Sequence, residues 1–135
     1  TIYIADRENR RIQAFDPDGN VQSCWYGFSR AAAICISNGV GYVGEYYAGG
    51  GESGSYRSAG HLGPRVSLTD MQGNILMRLG EETFGDEPGR FYAPHGIATD
   101  SVGNIYVAEV SFAEYGRRLD PPKELRSMQK LVKTG

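Results

Sequence analysis

The chain has 135 residues, 40% hydrophobic and 22% charged, with 19 glycines, which is enough for one domain with a core of its own. A formal net charge of −2 and a pI near 5.7 give no electrostatic footprint for nucleic acid, and no apolar run approaches the length that crosses a bilayer. No signal peptide is read in these residues, but the chain opens directly on a strand, so one could have been lost with upstream sequence; a soluble protein, secreted or cytoplasmic, is the expectation.

In chain order, the first unit covers residues 1–27. Strands are expected at Ile2–Ala5, Arg11–Phe15 and Val21–Tyr26, with a turn at Asp16-Pro17-Asp18-Gly19-Asn20. The second unit, residues 28–80, begins with a strand at Ala32–Ile36 and bends at Asn38-Gly39, which supplies the positive φ a hairpin wants. It continues through Tyr42–Glu45, a glycine-rich insertion at 47–64, Val66–Thr69, a turn at Asp70 and a strand at Asn74–Leu79. The insertion, which holds His61, contains no phosphate-cradling glycine motif and reads as a surface loop. The third unit, residues 81–135, has strands at His95–Thr99 and Ile105–Val110, a second insertion at 111–126 and a last strand near Ser127–Lys133. Asp120-Pro121-Pro122 looks like a helix start, yet an irregular stretch leading into a strand is preferred, because the unit otherwise lacks an outer partner. The basic residues from Arg117 to Lys133 read as a solvated segment.

Two elements repeat. Asp-x-x-Gly-Asn-(Val/Ile) recurs at Asp16, Asp70 and Asp100, and a short strand recurs as Ile2-Tyr3-Ile4-Ala5-Asp6, Gly41-Tyr42-Val43-Gly44-Glu45 and Ile105-Tyr106-Val107-Ala108-Glu109. Interleaved turns and strands predict a modular all-β array, each complete unit holding up to four antiparallel strands, as in a propeller blade. The first unit lacks the strand that should precede Ile2. Asp6, Glu45 and Glu109 fall at equivalent positions, which points to a recurring structural role more than to a general acid. Trp25, on an outer strand, is expected to pack between units, and Cys24 and Cys35 are expected as buried free thiols.

The stretch Ile4-Ala5-Asp6-Arg7-Glu8-Asn9-Arg10-Arg11-Ile12-Gln13-Ala14-Phe15-Asp16 resembles the repeat core of NHL-type β-propellers, as does Pro94-His95-Gly96-Ile97-Ala98-Thr99-Asp100 with Gly103-Asn104-Ile105-Tyr106-Val107-Ala108. The resemblance implies about three blades of a ring of six. The remaining blades would then be partners, and three blades alone would expose two sheet faces and associate. A narrower likeness, carried by Ala5-Asp6-Arg7-Glu8-Asn9, Phe28-Ser29-Arg30 and Pro94-His95, is to the peptidyl-α-hydroxyglycine amidating lyase-like group. It implies a zinc-dependent lyase acting on a small carboxylated or peptide-like ligand in the central channel. Arg7 would sit at the substrate-carboxylate position and His95 at a zinc-ligand position. Those residue types suit such chemistry, since a guanidinium grips a carboxylate through two parallel bonds and a neutral imidazole is a good zinc ligand. The lyase has Asp after the matching His, where this chain has Gly96, and His61 matches no ligand position. Two alternatives remain open: a non-catalytic propeller scaffold, and a gluconolactonase-like hydrolase with calcium in place of zinc, for which Glu45 or Glu109 matters more than His95.

Overall fold

The computed structural model describes residues 1–48, 62–81 and 83–135, so the segment 49–61 with His61 lies outside the described residues. Three turns of one design organise the chain. In each, the leading Asp carboxylate accepts backbone N–H groups two and four residues ahead: Asp16 from Asp18 (3.0 Å) and Asn20 (2.8 Å), Asp70 from Gln72 and Asn74 (both 2.9 Å), Asp100 from Val102 (3.1 Å) and Asn104 (2.9 Å). The Asn side-chain amide donates back to the second carboxylate oxygen at 2.9, 2.7 and 2.7 Å. Gly19, Gly73 and Gly103 close each turn at φ of +87°, +86° and +89°, which a residue without Cβ adopts freely. Short polar side chains thus do locally what a longer ladder would otherwise have to do.

Among the described residues, ten strands lie around these turns. The first sheet has the order β1-β2-β3, from β1 (Ile2–Asp6), β2 (Arg11–Phe15) and β3 (Val21–Trp25). The middle sheet has the order β4-β5-β6-β7, from β4 (Arg30–Ser37), β5 (Val40–Tyr46), β6 (Arg65–Thr69) and β7 (Ile75–Leu79). The third is β8 (Pro94–Thr99), β9 (Ile105–Glu109) and β10 (Met128–Leu131), in the order β8-β9-β10. All pairings are antiparallel. The all-β expectation holds at this level. A short helix, α1 (Ser111–Glu114), and a 3-10 turn at Gly116–Arg118 were not foreseen, and the stretch after them runs irregularly into β10.

The sheets pack in series, and the register makes the repeat literal. Tyr3, Tyr42 and Tyr106 sit opposite Ala14, Leu68 and Lys130. Ala5, Gly44 and Ala108 sit opposite Ile12, Val66 and Met128. One apolar cluster (Ile12, Trp25, Phe28, Ala31, Val43) joins the first sheet to the middle one. A second (Val66, Phe91, Ile105, Val107) joins the middle sheet to the third. Alternate side chains of the middle sheet feed the two clusters, as the period of two requires. Trp25 is buried between sheets as expected, lying across Gly73. Cys24 and Cys35 are free but only half-buried, which corrects the expectation of buried thiols: both lie beside polar partners, Gln13 and Thr99. Among the described residues no helix is long and apolar enough to cross a membrane.

Candidate functional site

The repeat acids explain how one end of the stack is built. Glu45 is fully buried at the end of β5 and accepts the Ser29 N–H at 2.5 Å, the Arg65 Nε–H at 3.0 Å and the Ser67 hydroxyl. Glu109 holds the same post in the third sheet, accepting N–H groups of Tyr92 (2.5 Å) and Ala93 (3.0 Å) and the Gln129 amide (3.5 Å). Ser67 and Gln129 are register equivalents, opposite Val43 and Val107. In the first sheet, Asp6 accepts from Arg11 Nε (2.8 Å) and from the Asn9 amide (2.9 Å). Each acid therefore ties its own strand to a neighbouring chain segment. That role is structural, and it uses the oxygens that a calcium-type site in the hydrolase alternative would need from Glu45 or Glu109.

The residue just past each acid is Arg7, Tyr46 or Val110, so the repeat sets these three at the same end. Arg7 opens a 3-10 turn (Arg7–Asn9) that Arg10 closes in the left-handed region at φ +57°. Arg11 is absorbed by Asp6, whereas the Arg7 side chain is 41% exposed. Among the described residues Arg7 hydrogen-bonds through Nε alone, to Glu8 Oε1 at 3.0 Å, so its two terminal amino groups stay available. The same Glu8 oxygen accepts from Arg30 Nη2 at 2.5 Å.

His95 is placed by a bulge. β8 slips register between Pro94 and Gly96, leaving His95 as the extra residue, and β4 does the same at Ala32. A bulge turns its unpaired side chain away from the ladder, and His95 is exposed.

The buried ring of Tyr46 is where these residues meet. The Arg7 guanidinium carbon stands 5.4 Å from its centroid, that of Arg30 5.5 Å, and the His95 ring lies edge-on at 5.8 Å. Both sequence-predicted site residues, Arg7 and His95, are thus brought to one aromatic ring. Burial pushes the Tyr46 phenol up, helped by Glu114 and opposed by Arg7 and Arg30, so it stays neutral at physiological pH. Beside it, Tyr115 stacks on Tyr92 (5.5 Å) and Phe84 (4.5 Å), extending an aromatic wall. Sequence reasoning missed Arg30 and Tyr46. The signal for Tyr46 was its position one past a repeat acid, equivalent to Arg7.

The arrangement suits an anion. Two guanidiniums stand over an aromatic floor, with Glu8 shared between them and Glu114 as the second nearby carboxylate, and Arg7 keeps its terminal amino groups for a ligand. It does not by itself suit zinc: the described residues give one imidazole, two cations stand beside the same ring, and among them no three His, Cys, Asp or Glu side chains gather to hold a metal. An apolar cavity of about 790 Å³ lies elsewhere, between β7 and β10, lined by Leu76, Met77, Leu79 and Leu131, and takes in neither Arg7 nor His95.

Two opposed titrations follow from the carboxylates. The Asn74 amide and backbone donors hold Asp70 below the usual range, and Asp16 is held down likewise by Asn20. At Asp100 burial pushes upward, but Asn104, Tyr106 and Val102 outweigh it. Their contribution to stability is present above the ordinary Asp pKa and is lost as pH falls through the lowered values, below about pH 4. Glu109 is raised by burial, which outweighs the Tyr92 and Ala93 N–H groups, the Gln129 amide and the nearby Arg126. Its contribution is complete below the ordinary Glu pKa and is lost as pH rises through the raised value. Urea midpoints measured across about pH 3–8 should therefore pass through a maximum. In Glu109→Gln the decline on the upper side should flatten, while the acid limb stays unchanged.

No protein-family model matches the chain, and no curated protein matches its sequence.

Proposed function

We propose that the chain is a sector of an NHL-type β-propeller carrying a binding site for a small carboxylated or peptide-like ligand, in the manner of the peptidyl-α-hydroxyglycine amidating lyase-like group. The gathering of Arg7, Arg30 and His95 around Tyr46 carries this reading. Sheets packed in series, with a repeat acid closing the same end of each, are what a blade array requires. Arg7 offers terminal amino groups to a ligand carboxylate, Arg30 is held in place by Glu8, and the Tyr46 and Tyr115 rings exclude water from one side. A desolvated guanidinium–carboxylate pair is stronger than one in open water, which is the value of the aromatic wall. Zinc enters this proposal through His95 alone, as one ligand of a set that residues beyond the described ones would complete. Carboxylate binding by the arginines does not depend on it.

Calorimetric titration with an N-acylglycine tests the anion site. Arg7→Ala should weaken binding about 10- to 100-fold, the range that a charge-assisted pair of hydrogen bonds supplies, with the fold retained because the side chain is exposed. Unchanged affinity in Arg7→Ala would remove the site. Metal analysis tests the rest: zinc that is lost in His95→Ala favours the lyase-like reading, and calcium retained in that variant favours the hydrolase. A protein that takes up neither metal but binds the carboxylate is the scaffold.

A further inference from the structure

We infer that the two open faces of the sheet stack are the two halves of one contact, and that a second copy of this chain fills it, first sheet against third sheet, head to tail. The chain holds its own template for this contact. Ile12 of the first sheet packs with Val43 of the middle sheet, and Val66 of the middle sheet packs with Val107 of the third. Ile12 and Val66 are register equivalents, as are Val43 and Val107, and all four are 0% exposed.

The remaining member of each set breaks the pattern. Met128, equivalent to Ile12 and Val66, is 61% exposed on the third sheet. Ile4, equivalent to Val43 and Val107, is 45% exposed on the first. Ile2 is 51% exposed, while Ile105 at its equivalent position is 6% exposed. The third sheet therefore presents to solvent the face that the other two offer to the sheet after them. The first sheet presents the face that the other two offer to the sheet before them. The unfilled faces continue an interface that the chain already makes twice, save that Lys130, lying over the Tyr106 ring, stands where the other two sheets carry Ala14 and Leu68, and the surface that fits each is the other.

A head-to-tail contact of unlike faces either closes into a ring or grows. Packing of like faces, Met128 on Met128 or Ile4 on Ile4, has no counterpart between the sheets of this chain. The inference stands on exposure and register, independently of the ligand reading.

The test uses Ile4→Lys and Met128→Lys, both at exposed positions, with light scattering to read mass. The wild-type chain should self-associate, and each variant alone should be monomeric, since either change spoils one half of every contact. An equimolar mixture should form a one-to-one dimer, because the intact third-sheet face of Ile4→Lys meets the intact first-sheet face of Met128→Lys. A monomeric wild-type chain would overturn the inference. So would a single variant that still associates, which is the signature of like faces pairing, or a mixture that stays monomeric. Should a lysine variant lose its far-ultraviolet circular dichroism, Ile4→Thr and Met128→Thr carry the same test, each weakening association about tenfold with recovery on mixing.

Discussion

Glu45→Ala is expected to cost about 3–5 kcal/mol, enough to leave a domain of this size barely folded. The carboxylate is completely buried and joins three groups at once: the Ser29 N–H at the lead-in to β4, the Arg65 guanidinium on β6 and the Ser67 hydroxyl. Removing it strands Arg65, whose side chain is only 14% exposed, without its anion, and an uncompensated buried cation costs more than the lost pair itself. Urea unfolding followed by Trp25 fluorescence reads the loss. Glu45→Gln keeps the volume and still strands the guanidinium, so it should remain clearly destabilised. Glu109→Gln breaks no direct ion pair, since the nearby Arg126 is held by the backbone carbonyls of Asp86 and Arg90, and it should cost less than Glu45→Gln at neutral pH. Equal losses in the two glutamines would show that the ion pair with Arg65 is not what makes Glu45 matter.

Gly73→Ala should be the other severe change, and its size is read against Gly19→Ala. Both glycines occupy the same place in the repeated turn with nearly the same φ, so both substitutions incur the left-handed strain of an L side chain, roughly 1–2 kcal/mol. At Gly19 a new methyl meets nothing within 4 Å, and the strain is the whole effect. At Gly73 the methyl would fall inside the Trp25 indole, which is buried between the first and middle sheets and has no room to retreat. Overpacking adds about 1–3 kcal/mol, so Gly73→Ala should lose distinctly more than Gly19→Ala in thermal unfolding. Similar losses at the two sites would mean that Trp25 yields.

The repeat made most of the fold legible. Asp-x-x-Gly-Asn encodes its turn through hydrogen bonds that begin and end within five residues, and the Tyr-containing strands fixed the register because a one-residue slip would expose Val43 and Val107. The structural role expected for Glu45 and Glu109 follows from the same logic, since equivalent positions in a repeat meet equivalent surroundings. What the sequence concealed lies between repeats. Arg30 and Tyr46 come together with Arg7 only when the middle sheet packs on the first, and no spacing within the chain announces that. The exposure of His95 depends on a bulge at Pro94–Gly96, which a period-two reading passes over. The half-buried thiols were misjudged for a related reason: Cys24 points away from the packed face of β3, and strand membership alone does not say which face is covered.

The convergence of Arg7, Arg30 and His95 on Tyr46 is the claim on which the functional reading stands. Side-chain nitrogen NMR tests it directly, by titrating an N-acylglycine while following the guanidinium Nε signals of Arg7 and Arg30 and the imidazole of His95. All three should shift along one binding curve with a common dissociation constant, while Arg11, held by Asp6, stays still. Separate curves, or shifts at Arg11 with none at Arg7, would contradict a single site.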